Sequence, residues 1–147
     1  MKYREGKTGR IFVARLEDGD ELLARLEQLA LKEKIEAGII YLIGALKDAS
    51  LVVGPEECSL PPVPVWRQFN DCREVLGIGT LFRDSQGQPA IHLHGATGRG
   101  DAALTGCIRG QAGVYLVAEV IILEILDSGA IKELEEESGL KMLKFSS

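Results

Sequence analysis

The stretch from Val114 to Leu126 constrains this chain most: it is apolar almost throughout and is broken only at Glu119 and Glu124. It falls short of the roughly 20 residues that a membrane-spanning helix requires, and its β-branched content suits a buried strand. Alternation sets Val114, Leu116, Ala118, Val120 and Ile122 on one side and Tyr115, Val117, Glu119, Ile121, Leu123 and Ile125 on the other. Both sides are apolar. A single domain of 147 residues has trouble covering both with one helix, so the strand calls for a subunit interface or for closure into a barrel. Glu119, flanked by Val117, Ala118, Val120 and Ile121, is costly to bury unpaired. Arg73, Arg109, the histidines or a bound ion would each answer it. Glu124 lies nearer the strand end, where solvent is within reach.

The remaining elements follow from local pattern. Gly9 to Leu16 reads as a strand. A helix comes next, capped by Asp18 or Asp20, carrying Leu22, Leu23, Leu26, Leu29, Ala30 and Ile35 at helical spacing and closed by Gly38. Ile39 to Val53 is one long strand or a hairpin, and the proline-rich Gly54 to Pro64 is a loop. Arg73 to Arg83, Pro89 to Ala96, Leu104 to Arg109 and Ala112 to Leu126 supply strands joined by turns at Ser85 to Gln88 and Gly98 to Asp101. The acidic Ile131 to Glu137 reads as a short helix before Leu140 to Phe145. The expectation is one domain, residues 1–147, of α+β class, with an antiparallel or mixed sheet of about seven strands and one main amphipathic helix.

Composition narrows the function. Seventeen Lys plus Arg against twenty-two Asp plus Glu give a formal charge of −5, which excludes a uniformly basic nucleic-acid binder. Aromatics at 5% are poor material for base-stacking platforms. Gly77-Ile78-Gly79 lacks the spacing of a dinucleotide fingerprint and no phosphate-binding loop motif occurs, so no nucleotide cofactor is expected. No secretory or membrane-spanning pattern is visible, and three cysteines, Cys58, Cys72 and Cys107, do not make a disulfide framework. The expected setting is the cytoplasm, with no membrane partner.

The chemistry gathers in Ile91-His92-Leu93-His94, which holds both histidines of the chain. On a strand, residues i and i+2 share a face, so the two imidazoles are neighbours. A hairpin turning about Arg99 and Gly100 sets His92 opposite Cys107 and His94 opposite Thr105. Two nitrogens and a sulfur then converge within reach of one ion, a donor set suited to zinc. The remaining position could stay open to water or substrate, or be filled by Glu119 or by a neighbouring subunit. Two alternating polar residues on a solvated strand are the plainer alternative, with Cys107 in the core.

Arg73-Glu74-Val75-Leu76-Gly77-Ile78-Gly79, Pro89-Ala90-Ile91-His92-Leu93-His94-Gly95, Leu104-Thr105-Gly106-Cys107 and Ala118-Glu119-Val120-Ile121 together resemble, in order and spacing, the plants-and-prokaryotes conserved (PPC) domain. The likeness spans nearly the whole chain. It implies an antiparallel sheet wrapped by one main helix and assembly as a homotrimer, in agreement with the two-faced strand. In plants the domain follows AT-hook motifs and mediates oligomerisation and partner contacts; no Arg-Gly-Arg-Pro core occurs here. Prokaryotic stand-alone members are described as predicted DNA-binding proteins, and some look like metal proteins that use an H-x-H and a G-G-H segment. His92 and His94 match the first. In the second, Thr105 stands for the first Gly and Cys107 for the His.

Two functions follow as expectations. The first is a trimeric binding and oligomerisation module, DNA-binding or linked to DNA regulation, whose partners are itself and DNA or other proteins. The second is a zinc-dependent enzyme of unspecified substrate, with zinc on His92, His94 and Cys107 and with Glu119 and Thr105 as accessory groups.

Overall fold

A long, β-branched run beginning at Ala37 organises the molecule, whose computed structural model describes residues 1–145. Among these residues the chain forms β1 (Lys7–Glu17), α1 (Leu22–Lys32), β2 (Ala37–Pro55), β3 (Pro64–Phe69), β4 (Arg73–Asp84), β5 (Pro89–Arg99), β6 (Ala102–Leu126), β7 (Ala130–Glu135) and β8 (Leu140–Phe145). The eight strands form one mixed sheet, in place of the expected seven or so. The expected hairpin-or-strand at Ile39 to Val53 is one strand. The two strands expected at Leu104 to Arg109 and Ala112 to Leu126 are likewise one, because Gly110 (φ 78°) and Leu116 (φ 58°) let β6 bend without ending. Leu116 thereby leaves the inward row and is exposed, while Val114, Ala118, Val120 and Ile122 are fully buried.

Closure is the topological point. β2 pairs with β4 along one edge and with β6 along the other, β4 pairs with β5, and β5 returns to β6, all antiparallel. β2 crosses β6 at Gly44, where φ is 135° and a β-carbon would lie 2.5 Å from the Val117 carbonyl oxygen. Only glycine allows so close a backbone approach. β1 adds to the outer edge of β6, with Val13 opposite Ile121 and Arg15 opposite Glu119.

The single helix buries Leu22, Leu26 and Ala30 in a core with Leu42, Leu46, Leu93, Ile108 and Val120. The cap is Glu21 rather than Asp18 or Asp20: its carboxylate accepts from Ala24 N at 2.7 Å and from Ala112 N at 3.0 Å. Asp18 instead accepts from Leu116 N, and Asp20 from Glu17 N. The helix stops at Lys32, short of Gly38, because Lys34 turns left-handed (φ 55°) and Ile35 N returns to the Ala30 carbonyl. Ile35 still packs in the core, so its helical spacing marked burial rather than helix.

The segment expected as a helix at Ile131 to Glu137 is strand through Glu135 and turn at Glu136 and Glu137. β7 pairs parallel with β4 through Arg83–Ile131 and Asp84–Lys132, and antiparallel with β8. Ala130 and Phe145 pack on Phe82 and Ala37, and Lys141 reaches the buried Asp84 at 2.8 Å. Pairing to an existing edge outweighs weak local propensity here. Among the described residues no helix is long and apolar enough to cross a membrane.

Candidate metal centre

Cross-strand register builds the site. Residues directly opposed in a ladder share a face, and one row runs Val13, Ile121, Tyr41, Ile78, His94, Cys107 across five strands. The next row sets Leu123, Ile39, Thr80 and His92 side by side. The histidines therefore stand at one end of an apolar outer face on which Val13, Ile43, Leu76 and Ile78 are each more than half exposed.

The β5–β6 turn lies at Gly100-Asp101, so Arg99 pairs with Ala102. The expected pairing is thereby shifted: His94, not His92, faces Cys107, and Thr105 faces Ala96. The shift moves each partner by two positions. A two-residue slip keeps every side chain on its original face, and the donors meet despite it. The Nε2 atoms of His92 and His94 are 3.0 Å apart, with rings nearly edge to face at 69°. With the buried Cys107 they form a group whose ligand atoms all lie within 4.8 Å of one another.

The electrostatics favour a neutral His92. Burial pushes its pKa below the ordinary value of 6.5, and the charges of His94, Lys132 and Arg109 push the same way. Arg109 Nε donates to Cys107 Sγ at 3.3 Å. Zinc holds imidazole nitrogen at about 2.0–2.1 Å and thiolate sulfur at about 2.3 Å, so two nitrogens on one ion lie about 3.3 Å apart. The facing Nε2 pair is close to that spacing. The residues present thus fit a transition ion in donor type and in the nitrogen separation.

Of the accessory candidates, Thr105 lines the cavity beside the donors. Glu119 does not join them. It is solvent-exposed, between Arg15 and Ile43 in the ladder, so the cost of burial that called for a partner is absent. Of the two β6 glutamates Glu124 is the buried one, 5% exposed, and it accepts three hydrogen bonds from Arg10 at 2.7–3.0 Å. Its pKa is held down to about 2, chiefly by the Arg10 side chain.

The cavity, about 660 Å³, lies between the donors, the end of β2, the loop carrying Pro61 and Pro62, and the β7–β8 turn at Ser138 to Leu140. Arg109 could have been assigned to it from its i+2 spacing to Cys107. Nothing local marks Pro61 or Leu140 as its neighbours.

The sequence profile of the Plants and Prokaryotes Conserved (PCC) domain matches residues 3–126. Among solved structures, a metal-containing protein from Archaeoglobus fulgidus superposes with a TM-score of 0.86 at 23% identity, covering 98% of this chain and 99% of its own. A PPC protein from Pyrococcus horikoshii gives 0.82 at 25% identity over 100% and 99% of the two chains. A protein from Bacteroides thetaiotaomicron, provisionally described as DNA-binding, gives 0.79 at 20% over 95% and 97%. No functionally curated protein matches the chain. The profile covers the helix, the closed strands and the His-His-Cys group alike, and the chain belongs to the plants-and-prokaryotes conserved domain family.

Proposed function

We propose that this chain is a single-domain, homotrimeric binding module of the PPC family that carries zinc on His92, His94 and Cys107 and acts in DNA-linked regulation in the cytoplasm. The carrying observation is the junction of the three donors with an exposed apolar sheet face. An unpartnered face bearing Val13, Tyr41, Ile43, Leu76, Ile78 and Ile121 favours self-association. Two imidazoles and a thiol suit zinc, which would act as a structural tie or as a Lewis acid at an open position. The free thiols accord with a reducing compartment. The DNA link draws on the Bacteroides relative's description. With a charge of −5, phosphate contacts would fall to the exposed amino-terminal Lys2, Arg4 and Arg15, repeated in each subunit.

Protein purified without a metal-affinity tag should contain about one zinc per chain and scatter light as a trimer; zinc-free or monomeric protein refutes the corresponding element. Duplex binding should be present at about 50 mM salt and fall steeply as salt rises; its absence at low salt refutes the DNA role. The cavity beside the donors favours a second reading, a zinc-dependent enzyme, in which bound zinc would polarise a substrate held there.

A further inference from the structure

The cavity beside the donors has a charge pattern at odds with the rest of the protein. The chain is acidic overall, yet no carboxylate lines this cavity. Its cation, Arg109, is exposed and turns Nε toward Cys107 Sγ. Among the described residues the terminal guanidinium nitrogens of Arg109 have no partner, and neither does the half-buried ammonium of Lys132, whose charge also reaches His92. Val53, Pro61, Pro62 and Leu140 give the rest of the lining an apolar surface. A volume of about 660 Å³ is within the range of small-molecule sites, which combine apolar walls with a few convergent polar groups.

We propose that this cavity binds a small organic carboxylate with an apolar body, its carboxylate held by Arg109 and its body lying against Pro61, Pro62 and Val53. The planar guanidinium fork matches a carboxylate, and an aliphatic chain gains from the proline wall what a hydrated inorganic anion cannot. The proposal deepens the metal reading and rests on it for one element, the metal's open position as a second hold on the carboxylate.

The test is calorimetric titration of the full-length chain with hexanoate, hexanamide and inorganic phosphate, with zinc per chain counted beforehand. Hexanoate should bind with a Kd of about 1 mM or tighter, and hexanamide and phosphate at least about 10-fold more weakly, as expected for loss of a charged hydrogen bond or of the apolar contact. Arg109→Met should weaken hexanoate by about 10–100-fold and leave hexanamide unchanged, and Arg109→Lys should restore part of the affinity. Equal affinity for acid and amide, or hexanoate binding untouched by Arg109→Met, overturns the proposal. Zinc-loaded protein that ignores hexanoate refutes the carboxylate site alone. Zinc-free protein that binds hexanoate through Arg109 refutes the metal reading and the metal's share in the grip, and nothing else.

Discussion

Replacing Glu124 with Gln removes the one carboxylate that the fold buries against the outer strand pairing of β1 and β6. Its two oxygens take Arg10 Nη2 at 2.7 Å, Arg10 Nε at 2.8 Å and the Arg10 backbone N–H at 3.0 Å. The difference between a pKa of about 2 and the ordinary 4.5 corresponds to about 3 kcal/mol. Half of the Arg10 side chain is open to solvent, which screens the pair and brings the expected loss at pH 7 to about 2 kcal/mol. The direction with pH follows from proton counting. Between pH 4.5 and 2 the unfolded chain binds a proton at this position that the folded chain does not, so the contribution is complete above 4.5 and vanishes as pH falls toward 2. Asp20, Asp71 and Asp84 also have lowered pKa values, but they are common to both proteins and cancel in the difference. Urea unfolding of wild type and Glu124→Gln at matched protomer concentration, from pH 7 to pH 2, measures this difference. Equal midpoints at pH 7, or a gap that persists undiminished at pH 2, would refute the reasoning.

Three further outcomes are expected. Gly44→Ala should destabilise by more than about 2 kcal/mol in denaturant titration, since it combines a φ of 135° with a contact 2.5 Å from the Val117 carbonyl oxygen; Gly19→Ala, with φ 86° and nothing within 4 Å, should cost only about 1 kcal/mol. Cys107→Ala should lower zinc affinity, measured by chelator competition, by more than the roughly 10–100-fold that loss of an outer-shell partner costs. Ile78→Glu places a charge in the middle of the apolar row between Tyr41 and His94 and should give monomer by light scattering where the proposed assembly gives trimer in wild type, while leaving the fold's circular dichroism unchanged.

How far the site was legible can be judged residue by residue. His92 and His94 share a face by strand parity alone, and Cys107 follows from any hairpin register of the same parity. A turn at Arg99-Gly100 is one residue earlier than the actual Gly100-Asp101 turn, and the group meets regardless because the resulting slip is even. The two glutamates of β6 have the reverse of the expected environments, Glu124 buried and Glu119 exposed. Alternation identifies which side of the strand each occupies, but not which side the helix covers, and it is α1 with its leucine face that buries the Glu124 side and leaves Glu119 in solvent. Arg10, the answer to Glu124, lies 114 residues away, beyond any local pattern.

The amino-acid order by itself determined the helix stripe, the strand character of the chain's middle and the common face of His92, His94 and Cys107, because side-chain periodicity is a property of backbone geometry that needs no distant partner. Tertiary structure alone decided the strand at Ala130–Glu135, the closure at Gly44 and the cavity between Pro61, Arg109 and Leu140. Each of these depends on segments far apart in the chain being brought into contact, and the energies that choose among such pairings come from the surfaces they bury together.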